Sequence, residues 1–373
     1  MGSLDDKHLA APRRELGRAS QSTDACADDH DALRVGPTPL TLLDHLSMLL
    51  DSLARTVCLT YEIWGENDGA GIRVQHEETN LRALERIGQA LEAAVGTSEA
   101  PGAPPKLAAA VRHAVFPGGA RIRPQLCLAV AGACGDDDPA LADAAAAAIE
   151  LLHCASLVHD DLPCFDDAER RRGLPSVHRA FGERVAVLAG DALIVLAFQA
   201  LAAGAGRMPA RLAPLLGTIA RGVGLPFGIV AGQAWECEPQ IVLGDYQRAK
   251  TGALFAASTM AGAQAAGAAA QPWRAFGEWL GEAYQVADDI RDVVADPDVI
   301  GKPTGRDVAL GRPSVAREIG LREAICRFDA LVASTVEAIP ACRGEAQLRA
   351  LVRHEAERLV PEMWSRTGER IAA

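Results

Sequence analysis

From about residue 80 onward the chain alternates apolar stripes and short polar breaks at the period of an α-helix. Leu81, Leu84, Ile87, Leu91 and Val95 fall on one stripe, which predicts a helix over Asn80–Val95. Pro101, Pro104 and Pro105 form a linker. A short helix is expected over Leu107–Val115, ended by Pro117-Gly118-Gly119, and another over Arg121–Cys134, stopped by Gly135 and three aspartates. Pro139–Asp160 is long, apolar and alanine-rich. Val185–Ala203, Leu225–Cys237, Asp245–Ala266 and Pro272–Val294 continue the series, and Leu321–Ile339 and Glu345–Val360 close it. Strand alternation and hairpin signals are nearly absent, so the expected fold class is all-α. The segment Met260–Ala270, MAGAQAAGAAA, reads as a small-residue packing surface, since no GxGxxG follows a strand.

Residues Met1 to about Ala70 differ in kind. They are polar and mixed in charge, a composition that usually stays disordered, with weak helical periodicity only at Leu40–Leu53. The expected organisation is an extension over 1–79 and a helical domain over 80–373.

Composition narrows this picture. Alanine carries much of the apolar content, and alanine-rich, β-branch-poor sequence favours helix. A net charge of −12 argues against general nucleic-acid binding, which wants a basic footprint. The nine cysteines are scattered, odd in number and form no CxxC pair, which fits a reduced, cytoplasmic setting and offers no zinc site. No apolar signal core opens the chain, and no uninterrupted apolar run is long enough to suggest a membrane span.

Two acidic stretches carry candidate chemistry. In Leu151–Arg172, LLHCASLVHDDLPCFDDAERRR, the aspartates Asp160, Asp161, Asp166 and Asp167 precede Arg170, Arg171 and Arg172. Two carboxylates ~5 Å apart repel by about 3 kcal/mol at an effective dielectric of ~20, so something positive must offset them. A divalent metal bridging a phosphorylated ligand would do so, with arginines on the phosphate oxygens. A solvated acidic loop neutralised by its own arginines would do so equally well. In Tyr284–Asp296, YQVADDIRDVVAD, the residues Gln285, Asp288, Asp289 and Asp292 share one helix stripe. Taken alone, that is an amphipathic helix with an acidic outer face.

As a pair, these stretches resemble the two aspartate-rich motifs of the trans-type isoprenyl diphosphate synthases, the polyprenyl synthetase family. PGGARIRP (Pro117–Pro124), HDDLPCFDDAERRRGLPSVH (His159–His178), AGDAL (Ala189–Leu193), KTG (Lys250–Gly252), YQVADDIRD and GKPTGRD (Gly301–Asp307) follow in that family's order. Within it, the chain is most similar to the geranylgeranyl diphosphate synthases of carotenoid-producing and photosynthetic bacteria. The resemblance implies a single-domain helical bundle around a central cavity, three Mg²⁺ ions per active site and a homodimer. It further implies a reaction between isopentenyl diphosphate and an allylic diphosphate.

By the same resemblance Asp160, Asp166 and Asp288 are metal ligands, supported by Asp161 and Asp289. Arg171, Lys250 and Lys302 contact the allylic diphosphate, and Thr251 and Gln285 turn dipoles toward the developing cation. Arg123, His153 and Arg172 match the family's metal-free isopentenyl diphosphate set. Residues six apart do not share a helix face and Pro163 breaks helical hydrogen bonding, so a distorted turn should return Asp166 beside Asp160. Ala120 stands where the motif usually has lysine, which weakens diphosphate binding by about 1–3 kcal/mol unless another cation replaces it. Leu174 also replaces a common lysine, whereas Arg306 and Arg312 keep the charge of the lysines they replace. Ala155 and Ser156, small residues just before Asp160, leave room for a twenty-carbon product. Trp235 and Glu236 read as core packing. The alternatives are a farnesyl or longer-chain synthase on the same fold and a non-catalytic partner subunit of another synthase.

Overall fold

The computed structural model describes residues 69–116, 118–240, 242–294 and 314–360. The calls on Leu40–Leu53, Lys302, Arg306 and Arg312 lie outside the described residues, as does all but the end of the 1–79 extension. The described chain is helical almost throughout. Helix α1 (Gly69–Gly96) starts earlier than its apolar stripe suggested and ends one residue beyond it. Next come α2 (Pro105–Val115), α3 (Ile122–Cys134) and α4 (Pro139–Asp160). Prolines open α2 and α4, where a missing N–H costs nothing, and Gly135 closes α3 in the left-handed conformation.

A two-stranded hairpin follows, β1 (Arg170–Arg171) and β2 (Leu174–Pro175), which the sequence pattern had not announced. Its two-residue loop has φ of 53° at Arg172 and 81° at Gly173, the positive pair that a type I′ turn requires. Only the second is a glycine, so the usual composition signal is missing. Helices α5 (Val177–Phe181), α6 (Glu183–Gly204), α7 (Pro209–Val223) and α8 (Ile229–Trp235) come next. Helix α7 was not foreseen, because Pro214 interrupts its pattern. A mid-helix proline costs roughly 3 kcal/mol, but Leu215, Thr218, Ile219 and Gly222 are buried and α7 packs on the helix at Ala253–Ala265.

Where one helix was expected over Asp245–Ala266, the chain forms α9 (Leu243–Gln247), a π-helical turn (Arg248–Gly252) and α10 (Ala253–Ala265). Helix α11 (Arg274–Val294) carries the second acid stripe, and α12 (Val315–Glu318), α13 (Leu321–Glu337) and α14 (Glu345–Leu359) complete the described chain.

Helix α10 is apolar or small on every side and buried nearly throughout, as a helix enclosed by others must be. It packs against α3, α4, α7 and α11, and so joins the two helices that carry the acid clusters. The most extensive helix pairing among the described residues is α4 with α6, where Gly190 and Gly204 of α6 meet α4. A Cβ on Gly190 would stand 2.0 Å from the His159 ring, so glycine is what lets the end of α4 seat against α6. Most of α4 is interior. By contrast, only 39% of the apolar span of α6 is buried, although its length and hydropathy match those of a membrane-crossing helix, as do those of α4. Val187, Leu188, Val195 and Phe198 of α6 face outward.

Candidate active site

Asp160 ends α4 and Asp161 caps it, 7% and 2% exposed. The chain then folds back on itself. The Asp166 N–H donates to the Asp160 carbonyl at 2.9 Å, and the Ala168 N–H to the Asp161 carbonyl at 3.1 Å. The backbone of Asp166 therefore lies against that of Asp160, the return that the motif's spacing demanded. A solvated acidic loop does not describe this stretch, since its first two carboxylates are buried. The hairpin then presents the arginines. Arg171 Nε donates to both Asp161 oxygens at 3.0 and 3.2 Å, and its Nη2 donates to Oδ1 as well. Burial raises the Asp161 pKa, and the Arg171 guanidinium opposes that shift.

On α11 the stripe divides in two. Asp288 is exposed and has Arg291 Nη1 at 3.7 Å. Asp289 is 5% exposed and accepts from the Val315 N–H at 2.8 Å and from Gln285 Nε2 at 3.2 Å. The acidic outer face expected of this helix is thus wrong for Asp289, because that carboxylate ties α11 to the start of α12.

The π-helical turn links both clusters. Lys250 Nζ lies 3.3 Å from Asp160 Oδ2 and 2.6 Å from Glu236 Oε1, while the next residue, Thr251, donates from Oγ1 to Gln285 Oε1 at 2.9 Å. Adjacent residues of one turn therefore reach the end of α4 and the acidic stripe of α11. A π-turn widens the helix locally, which suits two neighbouring side chains aimed at different walls. Core packing at Trp235 and Glu236 is also wrong. Trp235 is 37% exposed, and Glu236 is the anionic partner of Lys250 and accepts from the Tyr246 hydroxyl at 2.5 Å.

A cationic group stands beside these carboxylates. Arg123 Nη1 lies 3.4 Å from His153 Nε2, and the Arg123 guanidinium lies 4.5 Å from the Phe255 ring centre. Its Nε is sealed from solvent and makes no hydrogen bond. Burial lowers the Arg123 pKa, while Glu150, Tyr284 and Asp288 act in the opposite sense, which places Asp288 within the field of this arginine. Burial first, then Arg123, Arg172, Arg171 and Arg121, hold the His153 pKa well below its ordinary value, so this imidazole is neutral at pH 7. Arg172 Nη2 is 3.4 Å from Glu150 Oε1, which Arg121 Nη1 meets at 2.5 Å. Glu150 gave one signal in the sequence, as a lone acid in the apolar run AAAAAIELLHC. Ala155 lies in the core at 2% exposure, and Ser156 offers its carbonyl to Gln233 Nε2 at 3.0 Å.

The donors at the two acid clusters are carboxylate oxygens, the hard ligands that magnesium prefers. Among the described residues no three acidic, histidine or cysteine side chains form a ready metal cage. Magnesium usually takes one or two protein carboxylates and completes its shell with substrate phosphate and water.

Comparison with known proteins agrees with the motifs. Residues 104–351 match the polyprenyl synthetase family model. The chain is 54% identical over 277 residues to geranylgeranyl diphosphate synthase of Cereibacter sphaeroides, covering 74% of this chain and 96% of that one. It is 47% identical over 275 residues to geranylgeranyl diphosphate synthase of Rhodobacter capsulatus, covering 74% and 95%. Among solved structures it is similar to geranyltransferase from Helicobacter pylori complexed with magnesium and isoprenyl diphosphate. That match has a TM-score of 0.61 at 30% identity and covers 73% of this chain and 97% of that one. The fold and site define an all-α prenyl-transferring protein. The chain belongs to the polyprenyl synthetase family.

Proposed function

We propose that this protein is a magnesium-dependent geranylgeranyl diphosphate synthase, condensing isopentenyl diphosphate with an allylic diphosphate for carotenoid or terpenoid synthesis. The observation that carries the reading is the Lys250–Thr251 turn, which reaches Asp160 on one side and Gln285 on the other. Asp160, Asp166 and Asp288 are assigned as ligands for three magnesium ions, with Asp161 and Asp289 holding the walls. Bound magnesium supplies the positive charge that lets a diphosphate depart. Arg171, Lys250 and Lys302 hold the allylic diphosphate. The allylic C–O bond breaks with its electron pair on the leaving group, the isopentenyl double bond attacks the cation, and a proton is lost. Thr251 and Gln285 present fixed dipoles to that cation, where water is excluded. Arg123, Arg172 and neutral His153 bind isopentenyl diphosphate without metal. Ala155 and Ser156, small residues just before Asp160, are assigned to leave room for a twenty-carbon chain.

The activity is assigned to residues 80–373, with 1–79 as an extension. The outward apolar stripe of α6 supports a homodimer. A cytoplasmic location is supported by the cysteines, which are free thiols among the described residues. The test incubates the full chain with farnesyl diphosphate, isopentenyl diphosphate and Mg²⁺ and separates the products by chromatography. A twenty-carbon diphosphate is expected, and Asp160→Asn should lower kcat by about 10²–10³, the size of a lost electrostatic contact at the reacting group. A fifteen-carbon or longer-chain product overturns the chain-length assignment. No turnover at millimolar isopentenyl diphosphate favours the partner-subunit alternative.

A further inference from the structure

Tyr284 stands next to Gln285 in the second motif, yet its hydroxyl is held by residues of α14. It donates to Glu355 Oε2 of α14 at 2.6 Å and accepts from Arg358 Nη2 at 3.0 Å. Arg358 closes the triangle on Glu355, with Nε at 3.0 Å and Nη2 at 2.6 Å. Glu355 is 6% exposed, so these bonds form largely out of water and leave little freedom to the ring. Burial and the Glu355 carboxylate push the Tyr284 phenol up, so it remains a donor across the physiological range. Arg291 adds a second tie from α11 to the end of α14, donating to the Leu359 carbonyl at 3.1 Å and the Arg358 carbonyl at 3.3 Å.

The other end of this network reaches the cationic group. The Tyr284 ring packs on Phe255, with centroids 4.8 Å apart and planes tilted by 40°. Phe255 is fully buried, so it cannot shift without moving its neighbours. The same ring carries the Arg123 guanidinium at 4.5 Å, and that guanidinium meets His153. Arg123 Nε is sealed and unbonded, so the contacts that seat this guanidinium are the Phe255 face and His153, within the field of Glu150 and Asp288.

We infer that Tyr284 and Glu355 are positioning residues for isopentenyl diphosphate, because they lock Phe255 under Arg123 and so make the grip on that substrate depend on helix α14. The inference rests on the assignment of Arg123 to isopentenyl diphosphate. Neither residue touches the reacting atoms. Their effect is therefore confined to one substrate and leaves the chemical step nearly untouched.

The experiment uses the full chain with Mg²⁺, a saturating allylic diphosphate and varied isopentenyl diphosphate. Tyr284→Phe removes one hydroxyl and keeps the ring. It should raise the KM for isopentenyl diphosphate by about three- to tenfold, the size of a weakened cation–π contact, with kcat and the allylic KM within about twofold. Glu355→Gln keeps an acceptor for the hydroxyl and should give a smaller rise, whereas Glu355→Ala should match Tyr284→Phe. Arg327→Ala, which breaks the ion pair at 2.7 Å between Arg327 of α13 and Glu282 of α11, should leave both KM values unchanged. An unchanged isopentenyl KM in Tyr284→Phe overturns the inference. So does an equal rise in both KM values, since that pattern is general loosening. If the unaltered chain shows no turnover, the synthase reading has failed by itself. Calorimetric binding of isopentenyl diphosphate to the unaltered chain and to Tyr284→Phe then decides the coupling through Kd, and absent or equal binding overturns it.

Discussion

Arg121 and Arg123 flank one isoleucine yet meet different neighbours. Arg121, at φ 52°, is drawn inward to Glu150 and to the Val115 carbonyl at 2.5 Å. Arg123 keeps an unbonded Nε and leans on an aromatic ring. Arg121 is therefore already committed and does not supply the cation that Ala120 lacks. Ala120 itself is exposed, so a longer side chain fits there. Ala120→Lys should lower the KM for isopentenyl diphosphate by roughly tenfold, one charge-assisted contact, as read by steady-state kinetics. His153 offers a second prediction at this scale. Its native pKa is depressed by burial and by arginines, whereas in the unfolded chain it sits near ~6.5. As pH falls through that unfolded value, the unfolded state takes a proton that the native state refuses, and stability drops. Between pH 7 and 5.5 the loss attributable to His153 should be about 1 kcal/mol by urea denaturation, and His153→Gln should abolish it.

At the scale of elements, the site depends on how closely backbones approach. A Cβ on Gly232 of α8 would stand 2.4 Å from the Lys250 nitrogen and 2.5 Å from its Cα, so the π-helical turn itself would have to move. Gly232→Ala should cost about 1–3 kcal/mol by thermal denaturation, the usual penalty of overpacking. It should also lower kcat by at least about tenfold, because Lys250 and Thr251 shift together and small misplacements of reacting groups are expensive. The first motif shows the same economy. Its six-residue return is closed at backbone level, the Asp166 N–H donating to the Asp160 carbonyl at 2.9 Å.

For the whole molecule, two apolar helices share length and composition but differ in fate. Helix α4 is enclosed by its neighbours, while α6 turns Val187, Leu188, Val195 and Phe198 outward. In the proposed homodimer this stripe is the surface assigned to the two-fold contact. Leu188→Glu combined with Val195→Glu should halve the mass measured by sedimentation, because two charges cannot be buried unpaired at a symmetric contact. Helix content and melting temperature should change little.

Local features of the chain were enough for the helical class, most helix bounds, the closure of the first motif and the two acid clusters. Each depends on periodicity, on proline and glycine, or on short-range spacing, all of which are printed along the chain. The hairpin was not legible, because Arg172 takes a positive φ where a glycine or asparagine would have signalled it. Helix α7 was hidden by Pro214, whose cost only packing on α10 overcomes. The roles of Glu150, Glu236 and Glu355 were decided by tertiary structure alone. A buried carboxylate is defined by the cation or hydroxyl that meets it, and for these three the partners come from other elements of the fold. Asp289 makes the point within one motif: its aspartate was visible, but the Val315 N–H that buries it becomes a neighbour only once the chain has folded.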